Sequence, residues 1–502
     1  MRLAATIFFS VSLTAAPTAA QFTLITGARV LDGTGAPAVA VSVRITGDRI
    51  TEVGALQPRP GEHVVKADGW VLAPGFIDTH SHADDQIFEH RDALADVSQG
   101  ITTVIVGQDG GSIYPLADFF AKLTSTPAAV NVASYVGHGT LRDLAMGADF
   151  RRHATPAEIE KMRANLESEM RAGALGLSSG LEYDPGIYSD STELFALTAP
   201  LKALGGRYIS HVRSEDRYFW AAIGEIIAIG RRASIPVQIS HTKLAMKASW
   251  GLHDSLLHVL DRARAAHVDL TADVYPYTYW QSGLTVLFPG RDFESRASAA
   301  FALSQVSPAD GLLLTRYSPE PSYDGKTLAQ IAVLRHQDDT TALIELIRAA
   351  ESARARVADS GEATVIGTSM IEPDVEAIIR WPWSDFCTDG ELDGKHPRGY
   401  GAFTRVLGVY VRERHVITLE DAIRKMTSLA AANMGIPDRG RIAPGMFADL
   451  VLFDPLTVAD RSTLAEPHAL SAGIRAVWVN GALVYEGGKA TGGTPGRVVR
   501  RR

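Results

Sequence analysis

The sequence predicts an α/β protein: a (β/α)8 TIM-like barrel, a small β-sandwich domain built from both termini, and an insertion before the last barrel strand. Three observations carry that expectation. Between about residues 71 and 435, short apolar runs alternate with amphipathic helical stretches such as Glu158–Ala172 and Trp220–Arg232, the pattern of parallel strands covered by helices. Eight of the apolar runs read as strands, the number that closes a barrel. Outside that middle, both ends of the chain carry short segments that alternate at period two, as half-buried strands do.

Taken in order, Met1–Gln21 has one positive charge, a short apolar core and small residues at Thr18 and Ala20. This is the pattern of a secretory signal peptide, residues 1–20, too short for a comfortable membrane span. Secretion, to the periplasm of a bacterial envelope, is therefore expected. Cys387 is the one cysteine, so an exported chain has no internal disulfide and is held by its core and any bound metal. Residues 21–70 read as short strands: Phe22–Val30, then Val41, Val43 and Ile45 in alternation, a Gly47-Asp48 turn, and Ile50–Val53. Ala448–Phe453 and Ala476–Tyr485 echo them, the second with a hairpin turn at Asn480-Gly481, and residues 436–490 complete the β-domain.

The barrel takes residues 71–435. Its strands are placed at Phe76-Ile77, Thr103–Val106, Val130–Tyr135, Ala174–Leu177, Tyr208-Ile209, Pro236–Ile239, Val268–Ala272 and Phe386–Thr388. The roughly 110 residues between the last two are too many for an unstructured loop, and 284–380 are assigned to an inserted subdomain. Residues 491–502, ending in the basic run Arg497–Arg502, are expected to form a disordered tail. A formal net charge of -8 argues against a nucleic-acid partner, which needs concentrated positive surface. The sequence carries no signal for an oligomeric state.

Chemistry gathers at the C-terminal ends of the predicted strands, where barrel active sites are built. Ala73–His82 ends in His80-Ser-His82, and in extended chain these two imidazoles project to one side and can share a metal ion. His211 follows Tyr208-Ile-Ser, His241 follows Gln238-Ile-Ser, and Asp389 follows Cys387-Thr. For any one of them a satisfied core histidine or a solvated carboxylate is the ordinary explanation. Five at strand ends favour a metal centre. Imidazole and carboxylate donors suit Zn2+ and its first-row neighbours, and an open coordination position on such an ion supplies hydroxide near neutral pH.

Pro74–His82, the β-rich termini and Gly445–Asp454 resemble the amidohydrolase superfamily of metal-dependent β/α-barrel hydrolases. More narrowly, Gly176–Gly186, His211-Val-Arg-Ser-Glu215, Ile239-Ser-His-Thr-Lys243, Asp273-Val-Tyr-Pro-Tyr277 and His396-Pro-Arg-Gly-Tyr400 resemble N-acyl-D-amino-acid deacylases, or D-aminoacylases, over almost the entire mature chain. The resemblance implies one metal site at His80, His82 and Asp389 and another at His211 and His241, holding one or two Zn2+ or other divalent first-row ions, with Asp389 also the proton shuttle. In that family a cysteine in a Gly-Asn-Cys-Gly stretch is a ligand. This chain has Gly107-Gln-Asp-Gly110, so Asp109 stands in its place, a harder donor that leaves metal identity and number open. Glu182 is a reserve carboxylate.

The substrate is expected to be a small molecule bearing a carboxylate. Such a group in a partly dry pocket needs cationic donors, and the resemblance gives that role to Lys243 and Arg398, with Tyr183 and Tyr277 as further contacts. His138 and Asp84-Asp85 are candidate orienting residues. The implied activity is hydrolysis of N-acyl-amino acids, in particular N-acyl-D-amino acids, to a carboxylate and a free amino acid. Dipeptidase action, hydantoinase-like opening of a cyclic amide, and a non-catalytic metal-binding module are the alternatives.

Overall fold

The computed structural model describes residues 22–356 and 361–501; the expected signal peptide lies outside the described residues. Eight short strands form the middle of the chain: Phe76–Asp78, Ile101–Val106, Asn131–Ser134, Gly176–Gly180, Arg207–His211, Val237–Ile239, Leu270–Val274 and Ser384–Phe386. Neighbours in chain order pair in parallel, and Val136-Gly137, just past the third strand, pairs with the fourth. The ring closes where Ser81 bridges Gly390 and the Asp389 amide donates to the His80 carbonyl at 2.9 Å.

Side-chain alternation splits these strands between two cores. Phe76, Val104, Val132 and Tyr208 join the large cluster shared with the covering helices, whereas Ile77, Ile105, Ala133 and Ile209 meet in a second cluster inside the barrel. Strands buried on both faces need no polar positions, which is why Ile101–Val106 is buried throughout. The helices carry their own start and stop signals. Pro156–Ala172 opens on a capping box between Thr155 and Glu158, with Pro156 in its first turn, and ends at Gly173 in the left-handed region. Phe219–Ala233 turns Phe219, Ile223 and Ile226 inward.

The termini form two sheets. Phe22–Thr26, Ser42–Thr46, Arg49–Gly54 and His63–Lys66 make one, and a seven-stranded sheet runs from Lys489-Ala490 through Leu450–Phe453 to Val39-Ala40. Ile25, Val43, Ile45, Leu72, Leu450 and Trp478 pack into one core between them. Val71–Pro74 pairs antiparallel with Leu450–Phe453, so the β-region reaches residue 74 rather than 70.

Two further expectations need correction. The inserted sheet is antiparallel and made of Tyr279–Gly283, Leu312–Tyr317 and Ala363–Thr368. The excursion therefore begins before residue 284, at a strand whose half-buried Tyr-Trp-Gln-Ser-Gly has no apolar alternation to betray it. It also ends before 380, because Glu372–Arg380 packs on the seventh and eighth barrel strands. Residues 491–501 are not a frayed tail. Gly496 and Val499 amides donate to the carbonyls of Ala128 and Val132, and the Arg501 amide to that of Gly173. Arg501 also donates its guanidinium to the Met170 carbonyl at the end of a helix, where a cation is favoured. Arg500 and Arg501, which read as part of a solvated tail, are thus helix-end partners, while Arg497 pairs with Asp48.

Candidate metal centre

The strand ends bring His80, His82, Asp109, His211, His241 and Asp389 to one mouth of the barrel. Asp109, His241 and Asp389 have φ of 51°, 34° and 49°, a left-handed conformation that costs a non-glycine residue about 1–2 kcal/mol. The surrounding structure fixes each. The His241 amide donates to Asp273 Oδ1 at 2.5 Å. Asp78 accepts from the His80 and Thr388 amides, tying the ends of the first and last strands. The Gly107 amide donates to Asp84 Oδ2 at 3.2 Å, anchoring the loop that carries Asp109.

His80, Asp109, His241 and Asp389 each offer a donor atom within 4.8 Å of the others, as do His211, Glu215 and His241. Asp109 Oδ1 lies 3.4 Å from both His80 Nε2 and His241 Nε2, while its Oδ2 lies 3.7 Å from His82 Nε2. Both His80 ring nitrogens and Asp109 Oδ1 are buried without a hydrogen-bond partner. An orphaned buried polar atom costs about 1–3 kcal/mol. A divalent cation at the meeting point of His80 Nε2 and Asp109 Oδ1 would satisfy both, so the residues fit the group.

The second half of the site makes the same case through tautomers. His211 Nδ1 and His241 Nε2 face each other at 3.0 Å. The far nitrogen of each faces a carboxylate: His211 Nε2 is 3.1 Å from Glu182 Oε2 and His241 Nδ1 is 3.2 Å from Glu215 Oε1. A carboxylate holds N–H on the nitrogen it faces, which turns the other nitrogen's lone pair outward as metal ligation requires. A cation between His211 Nδ1 and His241 Nε2 would be held by both lone pairs.

Two cations stand beside the ligands, each with a carboxylate partner. Arg398 donates to Asp389 Oδ2 at 2.5 Å and Lys243 to Glu215 Oε1 at 2.6 Å. Burial alone would raise both carboxyls. Arg398 with His241 holds Asp389, and Lys243 with His211 holds Glu215, well below the usual carboxylate range. Burial lowers the His82 imidazole, but its bond to Asp389 and the Asp109 charge outweigh this and raise it to about 9.

Tyr183 reaches the site, its hydroxyl 3.1 Å from His211 Nδ1. Tyr277 does not: its ring lies edge-on to His396 and its hydroxyl donates to the Pro397 carbonyl. Tyr275 takes the place expected of it, lining the cleft with a buried, unpartnered hydroxyl while Lys243 and Arg398 lie over its ring at 5.6 and 4.9 Å. In the turn after the seventh strand the two tyrosines stand on opposite sides, and alternation alone does not say which faces inward. His138 serves the fold, bound to Glu193 at 2.7 Å. Glu215 was missed as a site residue. Its signal is Lys243, a buried cation that requires a partner.

Comparison with known proteins agrees with this geometry. Residues 384–485 match the model of the amidohydrolase family. The chain is 36% identical to a D-aminoacylase of Alcaligenes xylosoxydans xylosoxydans over 95% of its length and 97% of that protein. It is 37% identical to an N-acyl-D-glutamate deacylase and 36% to an N-acyl-D-aspartate deacylase of the same organism, over 95% and 96% of its length and 96% of each. Its fold superposes with a TM-score of 0.85 on an N-acyl-D-glutamate deacylase from Bordetella bronchiseptica, complexed with zinc and a phosphonate inhibitor that mimics the tetrahedral intermediate, at 36% identity over 95% of this chain and 99% of that one. A D-hydantoinase, 16% identical with a TM-score of 0.58 over 96% of this chain and 99% of that one, shares the fold. The chain belongs to the D-aminoacylase family of the amidohydrolases.

Proposed function

We propose that this protein is a metal-dependent hydrolase of N-acyl-D-amino acids, taking up water to release a carboxylic acid and a free D-amino acid. The observation that carries the reading is the convergence of four imidazoles with Asp109 and Asp389, beside Lys243 and Arg398, at one barrel mouth. His80, His82 and Asp389 would hold one ion and His211 and His241 another, with Asp109 placed between the two sets. Zn2+ or a first-row neighbour supplies a water nucleophile near neutral pH and polarises the acyl carbonyl.

The chain's own residues do the rest. Lys243, Arg398 and the Tyr275 hydroxyl hold the substrate carboxylate and fix the scissile amide over the site. Asp389 accepts a proton from the attacking water and delivers it to the departing nitrogen, which cannot leave as an amide anion. Arg398 is shared between Asp389 and the incoming carboxylate, so substrate binding loosens its hold on Asp389.

Removing the metal should abolish hydrolysis of N-acetyl-D-amino acids, and Zn2+, Co2+ or Mn2+ should restore it. Full activity after exhaustive demetallation, or no turnover with stoichiometric metal bound, would overturn the reading. The finer architecture belongs to it: the two terminal sheets form a small β-sandwich, and residues 1–20 direct export to the periplasm. Amino-terminal sequencing of the mature protein tests cleavage after Ala20.

A further inference from the structure

A second cavity, of about 610 Å3, opens at the end of the barrel opposite the metal centre, and its size is within the range of small-molecule sites. Its rim comes from the residues that enter four successive strands. Arg207 is the first residue of the fifth, and Pro236, Asp269 and Trp383 immediately precede the sixth, seventh and eighth. Leu429 and Ala432 close the remaining side. Two guanidinium groups line this cavity. Arg207 donates to the Asn433 carbonyl, and no carboxylate pairs with it among the described residues. Arg264 lies over the Trp383 ring at 3.5 Å and donates to the Leu270 carbonyl. Its acidic neighbour Asp269 is 3.7 Å away with a side chain 63% exposed, a pairing that water screens. Burial lowers the Arg264 guanidinium against the raising influence of Asp269.

The other polar groups of the lining are engaged inward. Thr271 Oγ1 donates to Gln238 Oε1, and Gln238 Nε2 to Asp273 Oδ2. Asp273 also accepts from the His241 amide, while Asp385 accepts from Asn433 and Thr79, so both carboxyls behind the floor are bonded within the barrel. Two cations and one exposed acid therefore leave the lining with a single uncompensated positive charge. Beside it Trp383, which is 40% exposed, Val237 and Leu429 present carbon surface. A guanidinium fork suits a carboxylate, and an apolar wall suits a ligand that has a carbon body.

We propose that this cavity is a second ligand site, separate from the metal centre, for a small monocarboxylate with an apolar or aromatic body. The carboxylate is taken by Arg207 and Arg264, and the body lies against Trp383, Val237 and Leu429. The probe is 4-iodobenzoate, whose heavy iodine quenches the fluorescence of an indole it touches. Quenching of the metal-loaded full chain is compared with that of Trp383→Phe, which subtracts any probe that reaches the metal centre beside Trp280. The Trp383-dependent part should saturate, and 4-iodobenzamide, of the same shape without the charge, should bind about tenfold more weakly or worse. Arg264→Gln should weaken 4-iodobenzoate to the same extent. Ala432→Phe keeps both arginines and fills the cavity from the helix side, so it should abolish the signal even if Arg264→Gln does not fold. Quenching that fails to saturate, equal binding of the benzamide, or unchanged binding in Ala432→Phe would overturn the site. Displacement by inorganic phosphate at the probe's own concentration would overturn the apolar-body requirement, reducing the cavity to a bare-anion site.

Discussion

The two mouths of the barrel are built from the same strands and share almost no chemistry. At the upper mouth, four imidazoles, Asp109, Asp389, Glu215, Lys243 and Arg398 crowd together, three of the ligands in strained backbone conformations. At the lower mouth, Ile77, Ile105, Ala133, Leu175 and Ile209 close on Ala430, Ala431, Met434 and Val499, which belongs to the C-terminal segment 496–501 that lies across the barrel base as a strap. Arg207, the first residue of the fifth strand, donates to the Asn433 carbonyl and pins the helix Ala430–Met434 that plugs this mouth. The apolar end supplies the packing that makes strain and clustered charge tolerable at the other. Damage at the two ends should therefore be separable, the upper in activity and metal binding, the lower in stability.

Asp389→Asn should show the largest effect. General acid–base catalysis contributes about 100- to 10000-fold, and the variant should lose that much on amides. It should keep more of its activity on an activated ester, whose leaving group needs no proton. Metal content must be checked in both preparations. Equal loss on amide and ester with metal retained would remove the proton delivery to nitrogen while leaving a role in activating water.

Glu215→Gln comes next. It removes the negative charge that faces His241 Nδ1 and neutralises Lys243, whose ammonium also lies 2.7 Å from that nitrogen. Metal affinity should fall about 10- to 100-fold, read by competition with a chelating dye rather than by turnover. Unchanged affinity would mean that the carboxylate serves Lys243 alone.

How much of this contrast could be read from sequence follows the physics of each end. The barrel strands were legible because burial on both faces leaves unbroken apolar runs such as Ile101–Val106. The candidate ligands were legible because each sits at, or within four residues past, the end of its strand. Tyr275 and Tyr277 were confused because a turn breaks the alternation that tells inside from outside. The strap was missed because Gly496 to Arg501 is held largely by backbone amides and by arginines on helix-end carbonyls, bonds that leave no hydrophobic period.

Val499→Asp probes the lower mouth. The residue is 9% exposed in the plug cluster, and the strap can lift away rather than bury a carboxylate. Its cost should therefore stay near 1–2 kcal/mol, a drop of a few degrees in Tm with kcat unchanged at 25 °C. A comparable fall in kcat with metal bound would show that the two ends are mechanically coupled.

A pH slope in stability is expected from Lys425, a fully buried cation beneath the last strand that donates to the carbonyls of Trp381 and Ser384. Burial pulls its pKa from 10.5 down to about 8, against the raising influence of Asp421. Below pH 8 both folded and unfolded chains carry the proton, and the full cost of the buried charge is present. Between about pH 8 and 10.5 the unfolded chain still holds a proton that the folded one has released, so this group makes stability rise with pH, by at most about 1.4 kcal/mol per unit. Lys425→Met keeps the length of the side chain and removes the titration. Urea unfolding of parent and variant at pH 7, 8, 9 and 10 cancels the other titrating groups in the difference between them. Parent stability should gain on the variant from pH 8 upward, and parallel curves would mean that the three oxygens around Lys425 Nζ keep it charged throughout.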